Sequence, residues 1–255
     1  GDQITGGDGR DVVIGDNGNA EFDATGVLIN IQSSDAAIIG DYDDIILTGN
    51  GFNTVLGGNG ADSITGGDDT DVVLGDNGSA TFVNVSGVSL LTQIISTDET
   101  IGSDDIISVG SGRNTIIGGF GADTVTGGAN EDVVIGDSGN ATFNSSGILT
   151  AINTITPDVG GSDIINVGDG YNVVIGGFGG DQITGGDDRD VIIGDNGSTT
   201  FSATGILLAI GTLDPTIGGV DTINTGAGDN TVLGGIGGDQ ITGGDGRDVV
   251  IGDNG

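Results

Sequence analysis

The run Gly57-Gly58-Asn59-Gly60-Ala61-Asp62-Ser63-Ile64-Thr65 is followed without a break by Gly66-Gly67-Asp68-Asp69-Thr70-Asp71-Val72-Val73-Leu74. Both nine-residue stretches put glycine first and second, aspartate sixth and a β-branched apolar residue eighth. Such tandem copies recur in five places, and their aligned aspartates are Asp2, Asp62, Asp123, Asp181 and Asp239, separated by 60, 61, 58 and 58 residues. The short period therefore sits inside a long one. The long period divides the chain into units 1–56, 57–117, 118–175, 176–233 and 234–255. Each unit contains a degenerate rung ending Asp-x-Ile (Asp44-Ile45-Ile46, Asp105-Ile106-Ile107), then a rung with asparagine in the aspartate slot (Asn53, Asn114, Asn172, Asn230). Two full-strength rungs follow, the second with the core Asp-Val-Val-Ile of Asp11 to Ile14. A Gly-Asp-Asn-Gly passage such as Gly15 to Gly18 then leads into a less regular segment of about twenty-five residues.

Composition narrows the chemistry. Thirty-eight acidic residues stand against four arginines and no lysine, a formal net charge of −34. That imbalance ordinarily signals disorder. Here about a third of the residues are apolar and the carboxylates recur at fixed spacing instead of in runs. Self-repulsion of this size opposes a compact state unless something neutralises it; seventeen divalent ions would cancel the formal charge. With 56 glycines and two prolines in 255 residues, many turns at positive φ are expected. Cysteine and histidine are both absent, which removes disulfides, thiol chemistry and ordinary zinc sites and leaves hard oxygen ligands. Four arginines cannot make a nucleic-acid footprint. No run of 18 apolar residues exists to insert in a membrane, and no signal peptide is visible. Because 238–255 repeats 1–18 residue for residue, the chain reads as a window on a longer repetitive protein, with any export signal outside it.

The nonapeptide resembles the RTX, or haemolysin-type calcium-binding, repeat. The resemblance covers most of the chain and implies an all-β fold: a calcium-binding parallel β-roll, or β-solenoid. In such a rung six residues turn and three form a strand, so two rungs complete a flattened coil. Aspartates and main-chain carbonyls of successive turns then offer the six to eight oxygens that calcium prefers. The implied cofactor is Ca2+, in multiple copies. Its expected ligands are the sixth-position residues Asp2, Asp11, Asp62, Asp71, Asp123, Asp132, Asp181, Asp190, Asp239 and Asp248. Asp44, Asp105, Asp163 and Asp221 of the degenerate rungs form a second tier, with Asp16, Asp76, Asp195 and Asp253 of the Gly-Asp-Asn-Gly passages and Asp137 of the equivalent Gly-Asp-Ser-Gly. The competing reading makes all these residues plain turn formers, but turn chemistry does not require aspartate in the same slot in rung after rung.

The irregular segments share a pattern, as in Phe22-Asp23-Ala24-Thr25-Gly26-Val27-Leu28 and Phe143-Asn144-Ser145-Ser146-Gly147-Ile148. A small polar residue before glycine, flanked by β-formers, favours a β-hairpin with a glycine bulge; two further degenerate rungs are the alternative. The recurring phenylalanine reads as a core plug, or else as an exposed carbohydrate contact. Depending on the insert, ten to thirteen coils are expected, a rod of about 50–60 Å at ~4.8 Å per coil.

The two roll faces should differ. Flanks of the buried eighth position point outward, and these are polar at Gln3 and Thr5 but apolar at Val12 and Ile14, Val72 and Leu74, Val133 and Ile135, Val191 and Ile193, Val249 and Ile251. A greasy outer face needs a cover, supplied by the unit's own hairpin or by a neighbouring chain.

Catalysis has little to draw on. Paired carboxylates recur in every unit, whereas an active site is singular, so no enzyme is expected. The preferred reading is a calcium-stiffened structural segment of a large secreted bacterial protein (adhesin, matrix filament or surface layer) that self-associates with other copies or adjoining repeats. It would lie outside the cell or at its surface, with any surface or carbohydrate ligand beyond this segment. The alternative is the calcium-triggered folding and secretion module of an exported RTX enzyme or toxin.

Overall fold

A computed structural model describes residues 1–34 and 42–253. Two nine-stranded parallel sheets face each other, one running from Gln3–Thr5 to Gln240–Thr242 and the other from Val12–Ile14 to Val249–Ile251. No helix occurs among the described residues, so none is long and apolar enough to cross a membrane. Each coil takes one strand from each sheet. The strands are short because glycine-rich turns interrupt them every nine residues. Register is strict: Ile107 lies between Ile64 and Val125, and Ile116 between Val73 and Val134. The eighth-position residues thus stack in two columns that meet in a thin core. Ile46, Ile64, Val73, Ile107, Ile116, Val125 and Val134 are all buried there.

The inserts are hairpins. Gly18–Phe22 pairs antiparallel with Leu28–Ser33, Gly78–Val85 with Val88–Ser96, Gly139–Phe143 with Leu149–Thr154, and Gly197–Phe201 with Leu207–Thr212. In the first, Gly26 N–H donates to Asp23 O at 3.0 Å and Gly26 takes φ +82°, a type I turn closed by a left-handed glycine. The Asp23 carboxylate caps this turn by accepting from the N–H groups of Thr25 (2.7 Å) and Val27 (3.1 Å). Asn144 and Ser202 do the same in their units. The second hairpin instead turns on two left-handed residues, Ser86 and Gly87.

Successive hairpins join edge to edge, giving one continuous eight-stranded antiparallel sheet. The match is geometric. Each unit advances two coils along the roll and contributes two hairpin strands, and both repeats step by ~4.8 Å. The hairpin sheet can therefore grow without slipping against the roll. Its inner face, including Ile31, Ala80, Ile94, Ala141 and Ile152, packs on Leu56, Leu74, Ile117, Ile135, Ile175 and Ile193 of the second roll sheet. The greasy stripe is covered from within the chain, and only its last members, Val249 and Ile251, stand exposed.

Three expectations change. With nine coils the roll is about 40 Å long at ~4.8 Å each, because the inserts leave the coil path instead of adding rungs. The recurring phenylalanine is graded in burial: Phe201 is buried, Phe82 and Phe143 are partly buried, and Phe22 is exposed. The polar face is not uniformly wet either, since the degenerate rungs place Ile45, Ile106 and Ile164 on it, each about half exposed.

Candidate metal centre

The turns form two edges of different composition. On one edge the ladder residues are aspartate throughout: Asp2, Asp44, Asp62, Asp105, Asp123, Asp163, Asp181, Asp221 and Asp239. Each but the last donates its backbone N–H to Oδ1 of the next, at 2.6–3.0 Å. On the other edge aspartate and asparagine alternate in the same chain of bonds. Asp71 N–H donates to Asn114 Oδ1 and Asn114 N–H to Asp132 Oδ1, both at 2.9 Å. Ladder partners are 18 residues apart across a plain coil and 40–43 apart where a hairpin intervenes.

Beyond the first residue of each ladder, Oδ1 of each carboxylate is thereby satisfied. Oδ2 is buried without a hydrogen-bond partner in Asp11, Asp44, Asp62, Asp71, Asp105, Asp123, Asp132, Asp163, Asp181, Asp190, Asp221 and Asp239. A lone buried polar atom is costly, a charged one more so. These oxygens share a cradle with main-chain carbonyls. A Cβ placed on Gly57 would fall 2.4 Å from Asp62 Oδ2 and 2.0 Å from Gly75 O, and one on Gly118 would fall 2.3 Å from Asp123 Oδ2 and 2.1 Å from Gly136 O. Glycine there keeps open a space that carboxylate and carbonyl oxygens from successive coils face together. Among the described residues no three acidic side chains converge on one point. A cation must therefore draw much of its shell from carbonyls, as calcium does readily. The donor set is all hard oxygen and fits Ca2+.

Electrostatics agrees. Burial pushes the carboxyl groups of Asp62 and Asp190 up to about 8 and that of Asp181 up to about 9, with neighbouring carboxylates adding to the shift. Burial likewise raises Asp71, Asp132 and Asp221 to about 7. Asp123 is raised well above the usual carboxylate range, by burial and then by the charges of Asp163 and Asp105. In the absence of metal the folded roll therefore holds protons where it would otherwise hold ions. An unfolded aspartate titrates near ~3.9, so the folded values lie above the unfolded one. The stabilisation is complete below about pH 4 and is lost as pH rises through the folded values of about 7 to 9. In chelator, the strand signal in circular dichroism should be strongest near pH 4 and decline toward pH 9; a calcium-free chain better folded at pH 9 than at pH 4 would contradict this.

The Gly-Asp-Asn-Gly aspartates are held differently. Asp76 Oδ1 accepts from Ser103 N–H at 3.3 Å and its Oδ2 from Phe120 N–H. Asp137 takes Gly161 (2.9 Å) and Phe178, and Asp195 takes Gly219 (2.7 Å) and Ile236, in the same manner. Asp16 Oδ2 accepts from Asn59 N–H at 2.7 Å. Asp76, Asp137 and Asp195 pin the return loop of their hairpin and the following turn to the roll, and Asp16 pins the following turn. They still lie close to the all-aspartate ladder, since the charge of Asp105 adds to the burial that raises Asp76. Asp2 and Asp253 are exposed in the terminal coils, and Asp248 is half-buried.

Two features went unread in the sequence. The amides of Asn53, Asn114, Asn172 and Asn230 bond into the turns; their strict alternation was the available signal. All four arginines occupy the position just before the ladder residue on the mixed edge. There Arg10 lies 5.6 Å from the Phe52 ring, Arg189 lies 4.9 Å from the Tyr171 ring, and Arg113 pairs with Glu131 at 2.6 Å.

Ladders of half-satisfied carboxylates, glycine cradles and facing carbonyls define a cation-binding parallel β-roll. A family model, the RTX calcium-binding nonapeptide repeat, matches residues 1–20, 38–73, 47–81, 108–143, 159–192, 167–201 and 217–250, more than half of the chain. The chain belongs to this family, whose repeats bind Ca2+ at multiple sites and are typical of proteins exported by type I secretion. A comparison with curated proteins finds no match.

Proposed function

We propose that this chain is a calcium-stiffened rod within a large secreted protein (adhesin, matrix filament or surface layer), acting outside the cell. The observation that carries the reading is the third sheet. Four hairpins join into one eight-stranded layer spanning successive units, a feature that adds stiffness along the axis. Among the described residues no cluster of acidic side chains stands apart from the repeat, which speaks against catalysis here. Self-association belongs to the same reading. With Val72 and Leu74 buried under the hairpins, one apolar row left on the open face of the roll for a second copy is Ile45, Ile106 and Ile164. These side chains recur every two coils, ~10 Å apart, so the rows of two rods match in spacing. Calcium on the edges removes the repulsion between them.

Half-satisfied carboxylates would equally serve a module that stays unfolded until it meets external calcium, the secretion reading. In-frame removal of the segment from the exported protein separates the two. A rod predicts that export continues while surface cohesion or reach is lost. Loss of export itself would overturn the rod reading in favour of the secretion module.

A further inference from the structure

The asparagine column divides the metal positions unequally between the two edges. Asn53 Nδ2 donates to Gly49 O (3.0 Å), Gly51 O (3.1 Å) and Asp71 Oδ1 (2.9 Å). Asn172 Nδ2 donates to Gly168 O (3.0 Å), Gly170 O (3.1 Å) and Gly185 O (3.1 Å). Asn114 Nδ2 reaches Gly110 O (3.2 Å) and Gly127 O (3.3 Å), and Asn230 Nδ2 reaches Gly228 O (3.3 Å) and Gly243 O (3.4 Å). The orientation of each amide follows from its partners. Oδ1 accepts a backbone N–H from the preceding ladder aspartate, as Asn114 Oδ1 does from Asp71, so Nδ2 must face the carbonyls.

In the aspartate turns the corresponding atom is a carboxylate oxygen. It meets carbonyl oxygens with no donor between them, and twelve such oxygens are orphaned. None of the four asparagine amides is among those orphaned atoms. An amide N–H is a donor and cannot ligate a cation. It satisfies the very carbonyls that a calcium ion would take.

We propose that Asn53, Asn114, Asn172 and Asn230 are built-in plugs that close alternate calcium positions on the mixed edge. The aspartate edge then carries ions at every coil and the mixed edge at every second coil. The charge distribution fits this division, since all four arginines line the mixed edge, where fewer divalent ions are held. The plugged turns fasten without metal, so they supply register along the mixed edge before calcium arrives, and the aspartate turns supply stability afterwards. The inference rests on the calcium-binding reading of the family.

The test is the number of calcium ions per chain, counted by native mass spectrometry in millimolar calcium, with folding followed by circular dichroism. Asn114→Asp should bind one more ion than wild type and need more calcium to fold. Asp132→Asn should bind one fewer and remain folded. Asn114→Ala decides between plug and ligand: a plug predicts an unchanged count with lower thermal stability, whereas loss of an ion would make Asn114 a ligand and overturn the proposal. An unchanged count in Asn114→Asp would also overturn it, and should that variant not fold, Asn172→Asp repeats the measurement in another unit. A wild-type chain that binds no calcium would refute the calcium-binding reading itself, an outcome distinct from any difference among variants.

Discussion

Stripped of calcium at neutral pH, the chain should lose most of its strand signal, and millimolar calcium should restore it. The balance of energies sets this result. Twelve buried carboxylate oxygens lack a partner, and each such group costs about 1–3 kcal/mol or more when charged. Their sum, on the order of 12–36 kcal/mol, matches or exceeds the ~5–15 kcal/mol by which a folded domain is ordinarily stable. The chain has no lysine or histidine to offset them, and its arginines stand at the surface. Calcium reverses the sign. Each site filled at a hundredfold its dissociation constant contributes ~2.7 kcal/mol to the folded state, and binding energy becomes folding energy. Far-UV circular dichroism during a chelator titration reads the effect directly. A spectrum unchanged in excess chelator at pH 7.5 would refute it.

The second large effect lies between the roll and its hairpin sheet. Leu74 is 1 % exposed and packs beneath the hairpins, close enough that a Cβ on Gly78 would fall 2.3 Å from its Cδ2. Leu74→Glu removes a core side chain, worth about 2–5 kcal/mol, and buries a charge for which no cation is near. The thermal midpoint in calcium should fall by roughly 10 °C for a chain of this size. The second hairpin should become the preferred site of proteolysis, while coils two units away stay protected because repeat stability is nearest-neighbour. Thr65→Glu, on the open face, should leave the midpoint within about 1 °C, as surface changes ordinarily do. Equal midpoints for the two variants would show that the hairpin sheet adds no stability to the roll.

The roll itself was legible because its rule is local. Glycine at Gly57, aspartate at Asp62 and isoleucine at Ile64 each answer to a neighbour nine or eighteen residues away, and the period announces that geometry. The contrast between Gln3 and Thr5 on one face and Val72 and Leu74 on the other correctly pointed to a covered sheet. What covers it could not be read, since pairing between Ile94 and Ala141 joins different units and depends on the rise of the roll, not on any local motif. The Gly-Asp-Asn-Gly aspartates were hidden for a related reason. Asp76 meets Phe120 N–H 44 residues later, across a hairpin whose path had to be known first. Sequence marks an asparagine's slot in the same way whether its amide ligates or plugs; the direction of Nδ2 requires the fold.

The alternation of short and long ladder steps gives the rod a mechanical character. Strands in all three sheets lie across the axis, so tension along it pulls coils away one after another. A plain coil frees 18 residues, while a coil that carries a hairpin frees 40–43. At ~3.3–3.6 Å per extended residue these lengths are about 60 Å and 140 Å, for ~5 Å of rod given up. The hairpins are thus stored slack, and a rod under load pays out chain in alternating short and long increments. In a rod of the kind proposed, each increment should refasten when the load falls and calcium returns to its cradle, so that extension would dissipate work without breaking a covalent bond.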